Sequence, residues 1–282
     1  INFGEFTDRW NATEAKVGSA FGQWLNGKAL YIVERKQWII WNGNHWEGDQ
    51  CAFINRLAYR FITEVKAVLV DMNNYTEASN LSSFESLNKL ENISKFAATD
   101  RSVSASDFDT DPFLLATQDN WVDLKTGRSI TPNPDFLVSK ALSISHSVQA
   151  ECPNFRKFLN DVFEEDSELI EFVQRAIGYS LTGSTAEQCL FIMIGDGANG
   201  GASVGDDLVD LIGARLITVS ETEEGQSLAE AKIKQMTGGD TLKGRPLYGN
   251  WVQFSIIGKL WLATNNLPQI NNTDHGIWRR IK

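Results

Sequence analysis

LFIMIGDGANGG, residues 190–201, is the stretch on which the reading of this chain turns. Leu190 to Ile194 form a short apolar run of strand type, bounded by turn residues. The run enters a glycine-rich loop in which Gly195 and Gly200 satisfy the spacing G-x-x-x-x-G. In a phosphate loop the glycines let backbone N–H groups curl around phosphate oxygens, and the dipole of the following helix adds to the attraction. Gly195, Asp196, Gly197, Ala198, Asn199 and Gly200 are therefore the candidate nucleotide-binding residues. The next two positions, which in such a loop carry Lys and Ser or Thr to reach the phosphates and Mg²⁺, are here Gly201 and Ala202.

A glycine turn without its lysine is a weak signal, and weight comes from the motifs downstream of it. RLITVSETEEG, residues 215–225, is a buried-strand pattern ending in Glu221. A carboxylate at the tip of a strand beside a phosphate loop can hold Mg²⁺ and polarise an attacking water. KLWLATNNLP, residues 259–268, is a further strand, ending in Thr264-Asn265, where an amide can orient water or sense a γ-phosphate. TDHGIWRRIK closes the chain with Arg279 and Arg280. Near a terminus such a pair is ordinarily solvated, but in ring ATPases an arginine reaches the neighbour's nucleotide. Between these motifs lies TLKGRPLYGNWVQFSIIGK, residues 241–259. Its Lys243, Arg245 and Lys259 are candidates for sequence-independent contact with DNA phosphates, or else ordinary surface cations and salt-bridge partners.

Upstream, residues 1–110 read as a small mixed α/β domain. Asn42-Gly43, between the strand-like runs of ALYIVERKQWIIWNGNHWEGD, is a hairpin signal. Helices are expected from Gln50 to Asp71, with Phe53, Leu57, Phe61 and Val65 on one face, and from Ser82 to Ala98. Trp38, Trp41 and Trp46 could stack on bases, but packing in the hairpin or core is the expected role because no Lys or Arg is interleaved among all three. Residues 111–184 read as a turn-rich connector, with a hairpin in DNWVDLKTGRSI, followed by two helices broken near Asp166-Ser167; Gly178 and Gly183 are plausible stops. Residues 185–282 carry the motifs above.

Composition narrows the function classes. Of 282 residues, 42% are hydrophobic, enough for a core in each half, and no apolar run approaches a membrane span. The N-terminus lacks the pattern of a signal peptide. Three widely spaced cysteines, Cys51, Cys152 and Cys189, and three scattered histidines suit neither a disulfide framework nor a zinc site, which points to a reduced, cytoplasmic setting. A net charge of −10 argues against a protein coated by nucleic acid and confines any DNA contact to a local basic feature such as the lining of a ring.

The order GDGANG, GARLITVSETEEG, KQMTGGD, KLWLATNNLPQINNTDHGIWRRI resembles the helicase core of phage and plasmid primase-helicases, a superfamily III group to which the poxvirus primase-helicase is related. DNWVDLKTG and CPNFRKFL…ELIEFVQRAIGYSLTG are similar to the domain ahead of that motor. The resemblance implies an α/β fold: a P-loop motor domain of the ASCE or AAA+-like kind, preceded by a mixed, largely helical domain. It further implies a ring, a hexamer in the family, that hydrolyses Mg-ATP and translocates on single-stranded DNA during phage or plasmid replication. Position by position, Gly195 to Gly200 resemble the nucleotide loop, Glu221 the acidic metal and water residue, and Asn265 the sensor amide. Arg280 matches the arginine finger, with Arg279 as the fallback. No primase signature is visible, so a primase-polymerase activity would sit in a segment other than these residues. The Lys-Ser or Lys-Thr pair has no counterpart. SVGDDLVDLIGARLITVSE resembles the piece just before the acidic strand, so the expectation is that a stretch of some tens of residues is missing between Gly200 and Ala202. A silent ring or loader and a nucleotide-driven switch acting on proteins are the rival readings.

Overall fold

The computed structural model describes residues 12–195, 208–221, 229–245, 251–266, 268, 270 and 275–282. The bonds from Gly200 to Ala202, on which the expected missing stretch turns, lie outside the described residues, as do the candidates Asp196 to Gly200. In chain order the elements are α1 (Glu14–Trp24), β1 (Ala29–Ile32), β2 (Gln37–Trp41), β3 (Trp46–Gly48), α2 (Phe53–Asp71), α3 (Tyr75–Ser82), α4 (Leu87–Asp100) and β4 (Ser102–Val103). Then come β5 (Leu114–Ala116), β6 (Trp121–Asp123), β7 (Arg128–Ile130), α5 (Pro153–Val162), α6 (Ser167–Leu181), β8 (Leu190–Ile194) and β9 (Leu216–Glu221). The last are α7 (Glu230–Thr237), β10 (Thr241–Gly244), β11 (Val252–Ser255), β12 (Lys259–Thr264) and α8 (His275–Trp278).

The chain divides into two compact units. The first comprises Ile1–Thr110, Ala116–Trp121 and Ser129–His146; the second comprises Asp111–Leu115, Val122–Arg128 and Ser147–Lys282. Residues 111–184, expected as one intermediate segment, are thus shared between the two units, and β5, β6 and β7 have residues in both.

The first unit is built on a four-stranded sheet of order β3-β2-β1-β4 and the helices α1 to α4. The expected hairpin forms between β2 and β3, with Trp41 opposite Trp46. Its turn is closed by the Asn42 side chain, which accepts from the N–H groups of Asn44 and His45 at 2.9 Å each, and Gly43 supplies φ +98°. Leu57, Phe61 and Val65 of α2 are buried as their spacing predicts, in a core with Val17, Phe21, Leu69, Leu81 and Ile93. Phe53, at the head of the same stripe, is 40% exposed. The helix expected from Ser82 to Ala98 is α4, which starts later, at Leu87, because the chain first turns and buries Phe84; α3, ahead of it, is not among the expected helices. Gly18 and Gly22, one turn apart on α1, lie against Phe96, Ala97 and Asp100 of α4; a Cβ on Gly18 would collide with the Cβ of Phe96.

The second unit holds a parallel sheet of order β8-β12-β9. Every residue of β12 is buried, as a central parallel strand requires. Its side chains alternate between two layers. Leu260 and Leu262 join a core with Met236 of α7, Leu242 of β10 and Ile277 of α8. Trp261 joins Phe191 and Ala176 of α6, and its Nε1 donates to Ser180 Oγ at 3.0 Å. The C-terminal residues run along β8: Leu190 N–H donates to Arg280 O, and the N–H of Lys282 to Leu190 O, at 2.7 and 2.9 Å. The break between α5 and α6 falls where the sequence places it, with Asp166 capping α6 through Leu169 N–H.

Candidate functional site

Because β8, β12 and β9 are parallel, their carboxyl ends share one edge of the sheet, the place where open α/β sheets receive ligands. In register, Thr264 stands opposite Ile194 on one side and Glu221 on the other. Gly195 follows Ile194 directly, and its N–H donates to Thr264 O at 3.3 Å. Asn265 follows Thr264 and is exposed. Three motifs that lie 26 and 44 residues apart in the chain, Gly195, Glu221 and Asn265, therefore end on one edge. Thr264 shapes the turn beyond it, its Oγ donating to Asn266 O at 2.7 Å and accepting from Asn266 N–H at 3.2 Å.

The two arginines divide differently from the expectation. Arg280 is 8% exposed and held within its own unit: Nε donates to Thr237 Oγ at 3.0 Å, one terminal nitrogen donates to Gly276 O, and the other reaches Gln188 Oε1 at 3.2 Å. Its partners come from α7, α8 and the turn before β8, so it ties the far side of the sheet together rather than projecting toward a neighbour. Arg279 is the exposed member, and its guanidinium also donates to Gln188 Oε1. Both guanidiniums thus meet at Gln188, but only that of Arg279 is exposed.

The three candidate DNA contacts also separate. Lys259 is corrected to a structural role. It is 3% exposed, and its ammonium donates to Thr182 O, to Ser184 O at 3.1 Å and to Ile257 O at 3.0 Å, above the Tyr179 ring. Burial, with Arg215 adding to the effect and Cys189 opposing it, brings its pKa down to about 8. Such a group holds the end of α6 to the start of β12. Lys243 and Arg245 lie on the antiparallel hairpin of β10 and β11, immediately ahead of β12. Leu242, Phe254 and Ile256 turn toward the core, while Thr241, Lys243, Arg245, Trp251, Gln253 and Ser255 are exposed. The register pairs Lys243 with Gln253 and ends at Gly244 and Val252, with Arg245 just after β10 and Trp251 just before β11. Trp251, 70% exposed, was missed by motif reading, although the alternation Trp-Val-Gln-Phe-Ser is a strand signal that sets it with the polar residues.

Among the described residues no group of three or more His, Cys, Asp or Glu could hold a metal ion. One carboxylate at the sheet edge suits Mg²⁺, which is held by one or two carboxylates together with substrate phosphates and waters. Glu221 is the acidic residue that ends β9 at that edge. The three cysteines are free, Cys189 buried and the other two exposed, and among the described residues no helix is long and apolar enough to cross a membrane.

The architecture is that of a mixed α/β protein with its motif residues gathered at the carboxyl edge of a parallel sheet. Residues 18–164 match the family described as D5 N terminal like; that is more than half of the chain, and the chain belongs to this family. It is 24% identical over 207 residues to a protein of Acanthamoeba polyphaga mimivirus provisionally named a helicase, a match covering 62% of the chain and 22% of that relative. The chain thus spans about a fifth of the length of the curated relative it matches. Among solved structures it is similar to the apo form of the C-terminal region of NrS-1, with a TM-score of 0.55 at 10% identity, over 95% of this chain and 61% of that one. These likenesses relate the chain to the primase-helicases.

Proposed function

We propose that this chain belongs to an ATP-driven motor that translocates on single-stranded DNA in phage or plasmid replication, working as a ring of copies, six in the family it resembles, in the cytoplasm of the host. The observation that carries the reading is the shared edge: Gly195, Glu221 and Asn265 stand at the ends of three adjacent parallel strands. ATP would lie across that edge against the 195–200 loop. Glu221 would hold Mg²⁺ or polarise the attacking water, and Asn265 would orient it. Mg²⁺, when bound, would neutralise charge developing on the phosphates. Arg279, exposed where Arg280 is enclosed, is the side chain able to reach a neighbour's nucleotide. The hairpin would meet DNA through Lys243 and Arg245 on phosphates and Trp251 on a base. A primase-polymerase segment elsewhere in a longer protein fits the same scheme.

One feature favours a second reading. Gly201-Ala202 supplies no side chain for the phosphates, and no Lys or Arg occurs between Gly200 and Arg215. A ring that keeps the fold without turning ATP over would look the same at the sheet edge. ATP hydrolysis by the purified chain, with and without single-stranded DNA, separates the two. DNA-stimulated turnover that Glu221→Gln abolishes supports the motor. Nucleotide-independent DNA binding without turnover moves the silent ring to first place. A replacement of Gly201 by Lys and Ala202 by Ser that raises ATP affinity at least roughly tenfold would identify the missing pair as the cause.

A further inference from the structure

The first unit contains an open cavity of about 280 Å³ whose walls include Trp24, Lys28, Trp41, Phe53, Leu57 and Arg60. Its aromatic members differ in how they are held. Trp24 is nearly buried and packs at 5.9–6.1 Å from Phe21 and Phe61, so it is a fixed wall. Trp41 is half-buried, tilted against Trp46 at 5.6 Å and edge-on to Trp121 at 6.2 Å. Phe53 stands 40% exposed at the first position of α2, where nothing in the core requires it. The two residues before it, Cys51 and Ala52, are both left-handed, at φ +58° and +53°. That conformation is costly for side chains other than glycine and recurs at ligand sites. Asp49 fixes the arrangement by accepting from Phe53 N–H at 2.7 Å.

Cations accompany these rings. Lys28 Nζ sits 3.3 Å from the centre of the Trp24 ring and donates to Trp24 O at 3.0 Å. Arg60, its side chain 70% exposed, bonds Glu64 through Nε at 2.8 Å. Arg56 precedes it by four positions, and Phe53, Arg56 and Arg60 follow the i, i+3, i+7 spacing of one helix stripe. The carboxylate among them, Glu64, is engaged on both oxygens, by Arg60 and by Trp24 Nε1 at 3.0 Å. Burial pulls the Lys28 pKa down, Glu64 opposes the fall and Arg60 adds to it. A second anion here would act in the same sense as Glu64. In a chain of net charge −10, Lys28 and Arg60 set two cations on the wall of this cavity beside exposed aromatic surface.

We propose that this cavity takes one nucleotide of a single-stranded DNA, its base against Trp41 and Phe53 and its phosphate toward Lys28 and Arg60. Aromatic platforms beside cations are how single strands are bound without regard to sequence. A purely apolar ligand would make no use of the cations on the wall. The volume lies just under the ~300–1,000 Å³ of sites that enclose a whole small molecule, which suits a base whose backbone stays outside. The inference rests on the reading of the chain as acting on single strands, and extends it to a unit that carries none of the motor motifs.

The test is an equilibrium titration of the intact chain with a fluorescein-labelled oligothymidylate in the absence of ATP. Phe53→Ala and Trp41→Ala should each weaken binding about tenfold or more. Trp41→Phe should retain most of it, and Arg60→Gln should lower the dependence of log affinity on log salt by about one unit. If Trp41→Ala does not fold, Phe53→Ser, altered at an already exposed side chain, carries the same expectation. Wild-type affinity in the cavity variants, with loss in Lys243→Gln, overturns this proposal and leaves the motor intact. DNA-stimulated ATP turnover, measured separately, reports on the motor alone. Displacement of the oligomer by free dTMP at comparable concentration would overturn the assignment to a strand in favour of a mononucleotide site.

Discussion

At the scale of single residues, burial decides which charged side chains can act. Arg280 and Lys259 are charged groups that the fold encloses and supplies with acceptors, and a group so placed stabilises more than it catalyses. Removing Arg280 leaves Thr237, Gly276 and Gln188 without its donors. Arg280→Ala should therefore lower the unfolding free energy by about 2–4 kcal/mol. Arg279→Ala should leave the melting temperature alone and reduce ATP turnover only in the assembled ring. An Arg280→Ala variant that melts like wild type would return Arg280 to the finger position. Lys259→Met should likewise cost about 2–4 kcal/mol, because three backbone carbonyls lose their donor. The Lys259 pKa is lowered in the folded state, to about 8 from 10.5. Between those values the unfolded chain binds the extra proton, so this residue's contribution to stability rises with pH across that window and is level below it. Urea titrations of wild type and Lys259→Met from pH 7 to 10.5 should show their difference changing only above about pH 8.

At the scale of elements, period-two and period-3.6 patterns carry most of what the structure shows, and long-range packing carries the rest. The turn at Asn42-Gly43, the buried stripe of α2, the cap at Asp166 and the strands ending at Ile194, Glu221 and Thr264 are all local signals and could be read directly. Strand order could not, since nothing in the residues of β12 says that it lies between β8 and β9. The exposure of Phe53 and the burial of Lys259 also escape local reading, because each depends on segments far away in the chain. Gly18 and Gly22 belong to this class: no turn or cap needs them, and only the close approach of α4 explains them. Gly18→Leu should push α1 from α4 and destabilise the chain by about 1–3 kcal/mol, the usual cost of overpacking. A neutral result in a thermal melt would mean that the two helices are not in that contact. The β10–β11 hairpin gives the complementary case, an element built to face outward. Trp251→Ala should leave stability within about 0.5 kcal/mol and weaken oligonucleotide binding severalfold; unchanged binding would remove the hairpin's aromatic from the interface.

At the scale of the whole molecule, the two units are not consecutive stretches of chain, and this has a consequence for how it can be divided. Composition suggests a boundary near residue 110, where the chain becomes rich in turns. The first unit, however, recovers residues 116–121 and 129–146. Among these is Trp121, fully buried, whose Nε1 donates to Asn44 O and Oδ1 at 3.0 Å each, while Asn44 Nδ2 returns a bond to Thr117 O at 2.7 Å. Trp46 is bound in the same way, its Nε1 donating to Pro134 O at 2.9 Å and its N–H to Val138 O at 2.8 Å. A fragment ending at residue 110 loses the apolar burial of Trp121, about 1.5–3 kcal/mol, and leaves the buried indole of Trp46 without its acceptor, about 1–3 kcal/mol more. Those losses are a large part of the roughly 5–15 kcal/mol that separates a folded domain from its unfolded chain. Residues 1–146 should therefore unfold cooperatively in urea with tryptophan fluorescence as the probe. Residues 1–110 should show a midpoint shifted far down or no transition. Equal midpoints for the two fragments would mean that the returning segments only decorate the unit, and that the compositional boundary at 110 is the physical one.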